Sequence, residues 1–203
     1  MVVAGVHMVP GRARGPRCAS PYPGTHVDEL TRLLLDAAGG DRRALARFVQ
    51  QTQTDVWRFT AHLVDPAVAD DLTQEVYVRA LGSVPRFRGD ATARTWLLSV
   101  ARRVAADEIR RRQRRRRIPA VDAGSEPDPS GAVELRALVG ALDPDRRDAF
   151  VLTQLLGLTY AEAAAACGVA VGTIRSRVSR ARQDLIRMLG TAADAPERDI
   201  GSA

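Results

Sequence analysis

The stretch from Gly168 to Leu189 constrains the fold more than any other part of the chain. From about Ala170 onward, Ile174, Val178, Ala181, Leu185, Met188 and Leu189 recur at the 3.6-residue period of an α-helix and fall on one stripe. Arg175, Ser176, Ser179 and Arg180 share the opposite arc. Taken alone, that arc fits either a solvated helix face or a surface built to touch a ligand. The residues ahead of it favour the second reading. Thr159-Tyr-Ala-Glu162 has the spacing of a capping box and opens a short helix over 160–166. Gly168 then supplies the left-handed residue that a tight turn needs. A short capped helix, a tight turn and an amphipathic helix make a helix-turn-helix, in which the second helix enters the major groove of DNA.

The rest of the chain is also helical in pattern, and no strand-like alternation interrupts it. Leu30, Leu33, Leu34 and Ala37 mark a first helix that stops at Gly39-Gly40. Asp41 can cap a second, carrying Leu45, Phe48, Val49, Val56, Phe59 and Leu63. Asp65-Pro66 restarts the chain with an N-cap and a proline at the first helical position, and that helix is expected to run to about Val84. Its wheel puts Val68, Leu72 and Val76 on one face and an acidic patch, Asp70, Asp71, Gln74 and Glu75, on another. A polar loop follows, then a long helix expected from Thr95 to about Arg112. Trp96, Leu97, Val100, Ala101, Val104 and Ala105 form its apolar side, while Ser99, Arg103, Ala106 and Arg110 line another. Arg114 to Arg117 extend the charge; such a run suits a solvated helix end as well as phosphate contact. Residues 118–131 hold Pro119, Pro127 and Pro129 with several acids and read as a flexible linker. Beyond it lie helices around Leu138 and Val139, and from Pro144 to Gly157 with Ala149, Leu152, Leu155 and Leu156 inward. The expected architecture is all-α: a disordered arm (1–26), a first helical domain (27–117), the linker (118–131), a second domain of four helices ending in the helix-turn-helix (132–190), and a disordered tail (191–203).

Composition narrows the function. The chain has 203 residues, a formal net charge of +6 and a pI near 10.5, which points to a polyanionic partner. Its 30 basic residues are all arginine, as coding bias alone could produce. Cys18 and Cys167 are too few for a metal framework or a disulfide scaffold, and His7, His26 and His62 lie far apart. There is no phosphate-binding glycine loop and no lysine. Asp70, Asp71 and Glu75 lack the nucleophile or histidine that would complete a catalytic site. No enzyme activity, cofactor or metal is therefore expected. With no apolar run of membrane-spanning length and no leader-like apolar stretch at the start, no membrane association is expected and the cytoplasm is the expected location.

The pieces occur in an ordered set: D-D-L-T-Q-E (Asp70 to Glu75), R-F-R-G-D (Arg86 to Asp90), T-W-L-L-S-V-A-R (Thr95 to Arg102), L-D-P-D-R-R (Leu142 to Arg147), L-G-L-T-Y-A-E (Leu156 to Glu162) and V-G-T-I-R-S-R-V-S-R-A-R (Val171 to Arg182). In this order they resemble an extracytoplasmic-function sigma factor of the sigma-70 family. T-Q-T-D-V-W-R-F (Thr52 to Phe59) and L-T-Q-L-L-G-L-T-Y (Leu152 to Tyr160) are similar to the sigma factor C subgroup. The resemblance, from Val27 to Leu189, implies a protein that binds core RNA polymerase and promoter DNA and starts strand opening. It implies polymerase contact through Asp70, Asp71, Gln74 and Glu75. It implies a downstream-element and melting surface at Arg88, Asp90, Thr92, Ser99, Arg103 and Arg110, with any base stacking left to Phe87, Arg88 or Arg94. Base reading in the upstream element falls to Arg175, Ser176, Ser179 and Arg180, and flanking contacts to Arg177 and Arg182. The chain departs from common family residues at Arg103, at Ala91 to Ala93 and at Ser179. An anti-sigma partner is common in the family. The alternative from the helix-turn-helix alone is a stand-alone transcriptional regulator.

Overall fold

A computed structural model describes residues 28–116 and 131–193. The expected arm, the linker up to residue 130 and the tail from residue 194 lie outside the described residues. Within them the regular structure is helical throughout: α1 (Glu29–Ala38), α2 (Arg42–Leu63), α3 (Ala69–Leu81), α4 (Ala93–Arg116), α5 (Gly131–Gly140), α6 (Pro144–Phe150), α7 (Tyr160–Cys167) and α8 (Val171–Ala193).

The helix starts follow local chemistry. Asp28 accepts the Thr31 amide at 2.9 Å, and Asp41 accepts those of Arg43 and Ala44 at 2.8 and 3.1 Å. Asp143 does the same for α6, with Pro144 in the first turn, where a missing N–H costs nothing. Asp65 also caps, taking the Ala67 amide at 2.9 Å. The expected continuous helix from there to Val84 is instead three pieces: a 3₁₀ turn over Pro66–Val68, α3, and a second 3₁₀ turn over Val84–Arg86. α4 is longer than expected at both ends. The segment after α6 is also not plain α-helix. Val151–Leu155 forms a π-helical turn in which the Leu156 amide reaches Val151 O at 3.0 Å. The wider turn shifts the inward face, so Val151, Leu152 and Thr153 are buried while Leu155 is only half-buried. At the far end, Leu189 sits off the packed stripe and is exposed, and α8 runs on to Ala193.

In the first helical group, Phe48, Val56, Phe59 and Leu63 of α2 meet Leu72 and Val76 of α3, Leu34 of α1 and the apolar side of α4. Each such large side chain contributes about 1.5–3 kcal/mol by leaving water. In the second group, Val139, Ala149, Leu152, Ile174 and Val178 pack together. The two groups lie against each other, since α4 also packs on α7 and the apolar cluster is continuous across them. Polar contacts pin this seam. Arg102 Nε of α4 donates to Asp148 Oδ2 of α6 at 2.5 Å. Arg94 joins Asp55 (2.7 Å) to the carbonyl of Leu156 (2.8 Å), and Arg147 reaches the carbonyl of Leu63 at 2.9 Å. Burial drives the Asp148 carboxyl above its ordinary range, and the Arg102 guanidinium pulls it part of the way back.

His62, near the end of α2, is half-buried, and its Nδ1 has no partner. Burial, followed by the charges of Arg136 and Arg58, holds its pKa below the ordinary 6.5. The unfolded chain therefore takes up a proton more readily than the folded one. This contribution to stability is full above pH 6.5 and is lost as pH falls from there through the folded pKa. Thermal unfolding followed by circular dichroism should show Tm falling between about pH 7.5 and about pH 5.5, and His62→Gln should flatten that slope.

Candidate nucleic-acid interface

α7 and α8 are joined as the sequence spacing anticipates. The Glu162 amide donates to Thr159 Oγ1 at 3.2 Å, and the Thr159 amide donates back to Glu162 Oε2 at 2.9 Å. Gly168 ends α7 at φ 68°, and the Val169 amide closes the turn on Ala164 O at 3.1 Å. No other heavy atom lies near the place a Gly168 Cβ would occupy, so the backbone angle rather than space calls for glycine there.

Ile174, Val178, Ala181 and Leu185 hold α8 down, with the first three at most 1% exposed. Arg175, Ser176, Ser179 and Arg180 are all exposed on the far side. Ser176 Oγ donates back to Thr173 O at 2.9 Å. Arg175 and Arg180 have no ion-pair or hydrogen-bond partner among the described residues, so both guanidinium forks are available to a ligand. Arg177 and Arg182 differ: Arg177 pairs with Asp145, and Arg182 Nη2 donates to Gln154 Oε1 at 2.6 Å. Arg146 and Arg187 both bond Asp184, holding its carboxyl below the usual range.

The other predicted surface lies on α4 and the loop before it. Arg103 is exposed and has no partner among the described residues, and Arg110 donates to Asp107 Oδ1 at 2.5 Å. Ser99 is half-buried and donates to Trp96 O at 2.7 Å. Thr92 caps α4: its Oγ1 accepts the Thr95 amide at 3.2 Å and donates to Thr95 Oγ1 at 2.8 Å. The loop is fastened from below by the Ala93 amide, which donates to Thr31 Oγ1 of α1 at 2.8 Å. Arg88 and Asp90 remain exposed. Of the three side chains considered for stacking, only Arg88 stands open. Phe87 is buried against Trp96 with ring centroids 5.4 Å apart, and Arg94 is engaged by Asp55 and Leu156.

Asp70, Asp71, Gln74 and Glu75 are all exposed on the N-terminal half of α3. Glu75 Oε1 accepts Arg79 Nε at 2.8 Å, and Arg79 Nη1 continues to Asp107 Oδ2 of α4 at 2.6 Å. The hydrogen bonds from Arg79 and then Arg110 hold Asp107 below the usual carboxylate range. Asp70 Oδ1 accepts the Trp57 indole N–H at 3.0 Å.

Residues 48–115 match the family model of sigma-70 region 2, and residues 132–185 match that of sigma-70 region 4. The chain is 47% identical over 184 residues to the ECF RNA polymerase sigma factor SigC of Mycobacterium tuberculosis, covering 85% of this chain and 95% of that protein. The chain belongs to the sigma-70 family, in its extracytoplasmic-function group. It is also 34% identical over 174 residues to the ECF sigma factor SigE of Mycolicibacterium smegmatis, covering 78% of this chain and 67% of that one. Among solved structures it resembles the sigma factor RpoE in complex with the anti-sigma factor NepR from Bartonella quintana, at 26% identity and a TM-score of 0.63 over 72% of this chain and 96% of that one. It likewise resembles CnrH in complex with the cytosolic domain of CnrY, at 26% identity and a TM-score of 0.66 over 83% of this chain and all of that one.

In this sigma factor the region 2 match covers most of α2, with α3 and nearly all of α4, and the region 4 match runs from α5 into α8. Sequence reasoning passed over Trp57, whose only signal was an aromatic inside T-Q-T-D-V-W-R-F. It also passed over the Arg102–Asp148 pair, which joins positions 46 apart with no local pattern to announce them.

The capping box fixes the start of α7 and so the angle at which α8 is offered. Thr159→Ala removes the side-chain cap and should cost about 1 kcal/mol of stability in urea denaturation. Thr159→Ser should restore most of it.

Proposed function

We propose that this sigma factor, which directs RNA polymerase to its promoters, divides the task among three surfaces. α3 docks core polymerase through Asp71, Gln74 and Glu75, with Asp70 beside them. α8 reads the upstream element as duplex through Arg175, Ser176, Ser179 and Arg180. Arg88 and Asp90 of the loop, with Arg103, Arg110 and Ser99 of α4, hold the strand that separates downstream. Thr92 serves that surface by capping α4. The observation that carries the reading is the pair Arg175 and Arg180: exposed, unpaired, and set opposite a buried stripe within the region 4 match.

The physics is consistent with this division. An arginine fork pairs bidentately with guanine, and serine adapts to several bases. Arg177 and Arg182, already tied to protein partners, suit phosphate contacts at the flanks. Extruding a base costs a few kcal/mol, which an arginine-lined strip can offset through the backbone and through stacking on Arg88. The acidic α3 patch suits a protein partner rather than DNA. The chain acts as a binding factor rather than an enzyme, and it works in the cytoplasm, where the polymerase is. Both structural neighbours were captured with anti-sigma partners, which supports regulation of this protein by a partner of the same kind. The match to sigma factors along most of the chain argues against a stand-alone regulator.

With purified core polymerase, the protein should yield transcripts that start at a fixed distance from a shared upstream motif. Arg175→Ala or Arg180→Ala should weaken upstream-element binding by about 1–3 kcal/mol and relax base preference at one position. An equal loss on all sequences would mark both as phosphate contacts and defeat the base-reading assignment.

A further inference from the structure

A groove of about 370 Å³ lies between α2 and α3, lined by Gln53, Thr54, Trp57, Asp70 and Thr73. Its chemistry is asymmetric. Trp57 is 37% exposed and offers part of its ring to the groove. Its indole N–H is spent on Asp70 Oδ1 at 3.0 Å, which leaves Asp70 Oδ2 with no partner among the described residues. Thr73 Oγ1 is shielded from solvent and also has no partner. A carboxylate and an exposed indole meet there, and among the described residues no cationic side chain lines the groove. An arginine guanidinium fits both, because it bonds the carboxylate and stacks on the indole.

The groove is continuous with the α3 patch. Asp70 precedes Asp71, and Gln74 lies one helical turn beyond Asp70. We infer that the groove receives an arginine side chain of the core polymerase subunit that docks on α3, with Trp57 and Asp70 as its anchor. The inference rests on the polymerase-docking reading of that helix. It adds a specific socket from α2 to what is otherwise a strip of exposed acids, and a partly desolvated cation–π contact is worth more than an exposed ion pair.

The test is titration of fluorescently labelled full-length protein with purified core RNA polymerase. Trp57→Ala, Asp70→Asn and Gln53→Arg, the last placing the protein's own cation in the groove, should each weaken binding about tenfold. Trp57→Phe keeps an aromatic face and should recover most of the Trp57→Ala loss. Circular dichroism checks folding; if Trp57→Ala is destabilised, Gln53→Arg at its exposed site carries the test. Wild-type affinity for Trp57→Ala and Gln53→Arg, alongside weakened binding by Gln74→Ala, overturns the socket and leaves the docking reading standing. Wild-type affinity for Gln74→Ala and Glu75→Ala as well overturns both.

Discussion

The structure depends on burying α4 from several directions at once. Leu97, Leu98, Ala101, Val104 and Ala105 are at most 2% exposed, and the helix touches α1, α2, α3 and α7. A helix gripped on so many sides has no freedom to rotate, because interiors pack too densely to permit it. Arg103 is therefore aimed outward by its neighbours' burial and not by any contact of its own. Arg102, one residue earlier and roughly a quarter-turn away, is turned to the partly buried Asp148. Two adjacent arginines thus take different tasks, one holding the helical groups together and one facing solvent. α8 repeats the principle at smaller scale, with Ile174, Val178 and Ala181 fixing where Arg175 and Arg180 point.

The arginine count overstates how much charge is available to a polyanion. Arg79, Arg94, Arg102, Arg112, Arg146 and Arg177 are each engaged by a carboxylate. The exposed pairs among them add little stability, since water screens them and ordering long side chains costs entropy. Their effect is to quiet charge where it is not wanted. Among the described arginines that no carboxylate engages are Arg175 and Arg180 on α8, Arg103 on α4, and Arg88 in the loop. The exposed acids of α3 sit on a different element from all four, and the nearest link to α4 is the Glu75–Arg79–Asp107 chain.

Local chemistry was legible in the sequence, and long-range chemistry was not. The capping box at Thr159, the left-handed Gly168 and the Asp-Pro starts depend on residues within four positions of each other, and they appear as the pattern requires. Periodicity found the buried stripe of α8 as far as Leu185 but overran at Leu189, where no partner helix remains to cover it. It missed the π-helical turn at Val151–Leu155, because an extra residue in a turn leaves no mark on an apolar run. The family resemblance placed Ser99 and Thr92 among candidate contacts, yet backbone groups claim both hydroxyls. The packing of α4 on α7 and the closeness of Trp57 to Asp70 arise from tertiary folding, which periodicity along one helix cannot encode.

The central claim is that the two arginine faces act on different parts of the promoter and do so separately. Footprinting of the polymerase–promoter complex together with permanganate detection of unpaired thymines tests this directly. Arg175→Ala with Arg180→Ala should erase upstream protection. Arg103→Ala with Arg88→Ala should keep that protection and lose the reactive thymines downstream. If the α4 and loop variant loses upstream protection as fully as the α8 variant, or if it opens DNA as the wild type does, the division of labour is wrong.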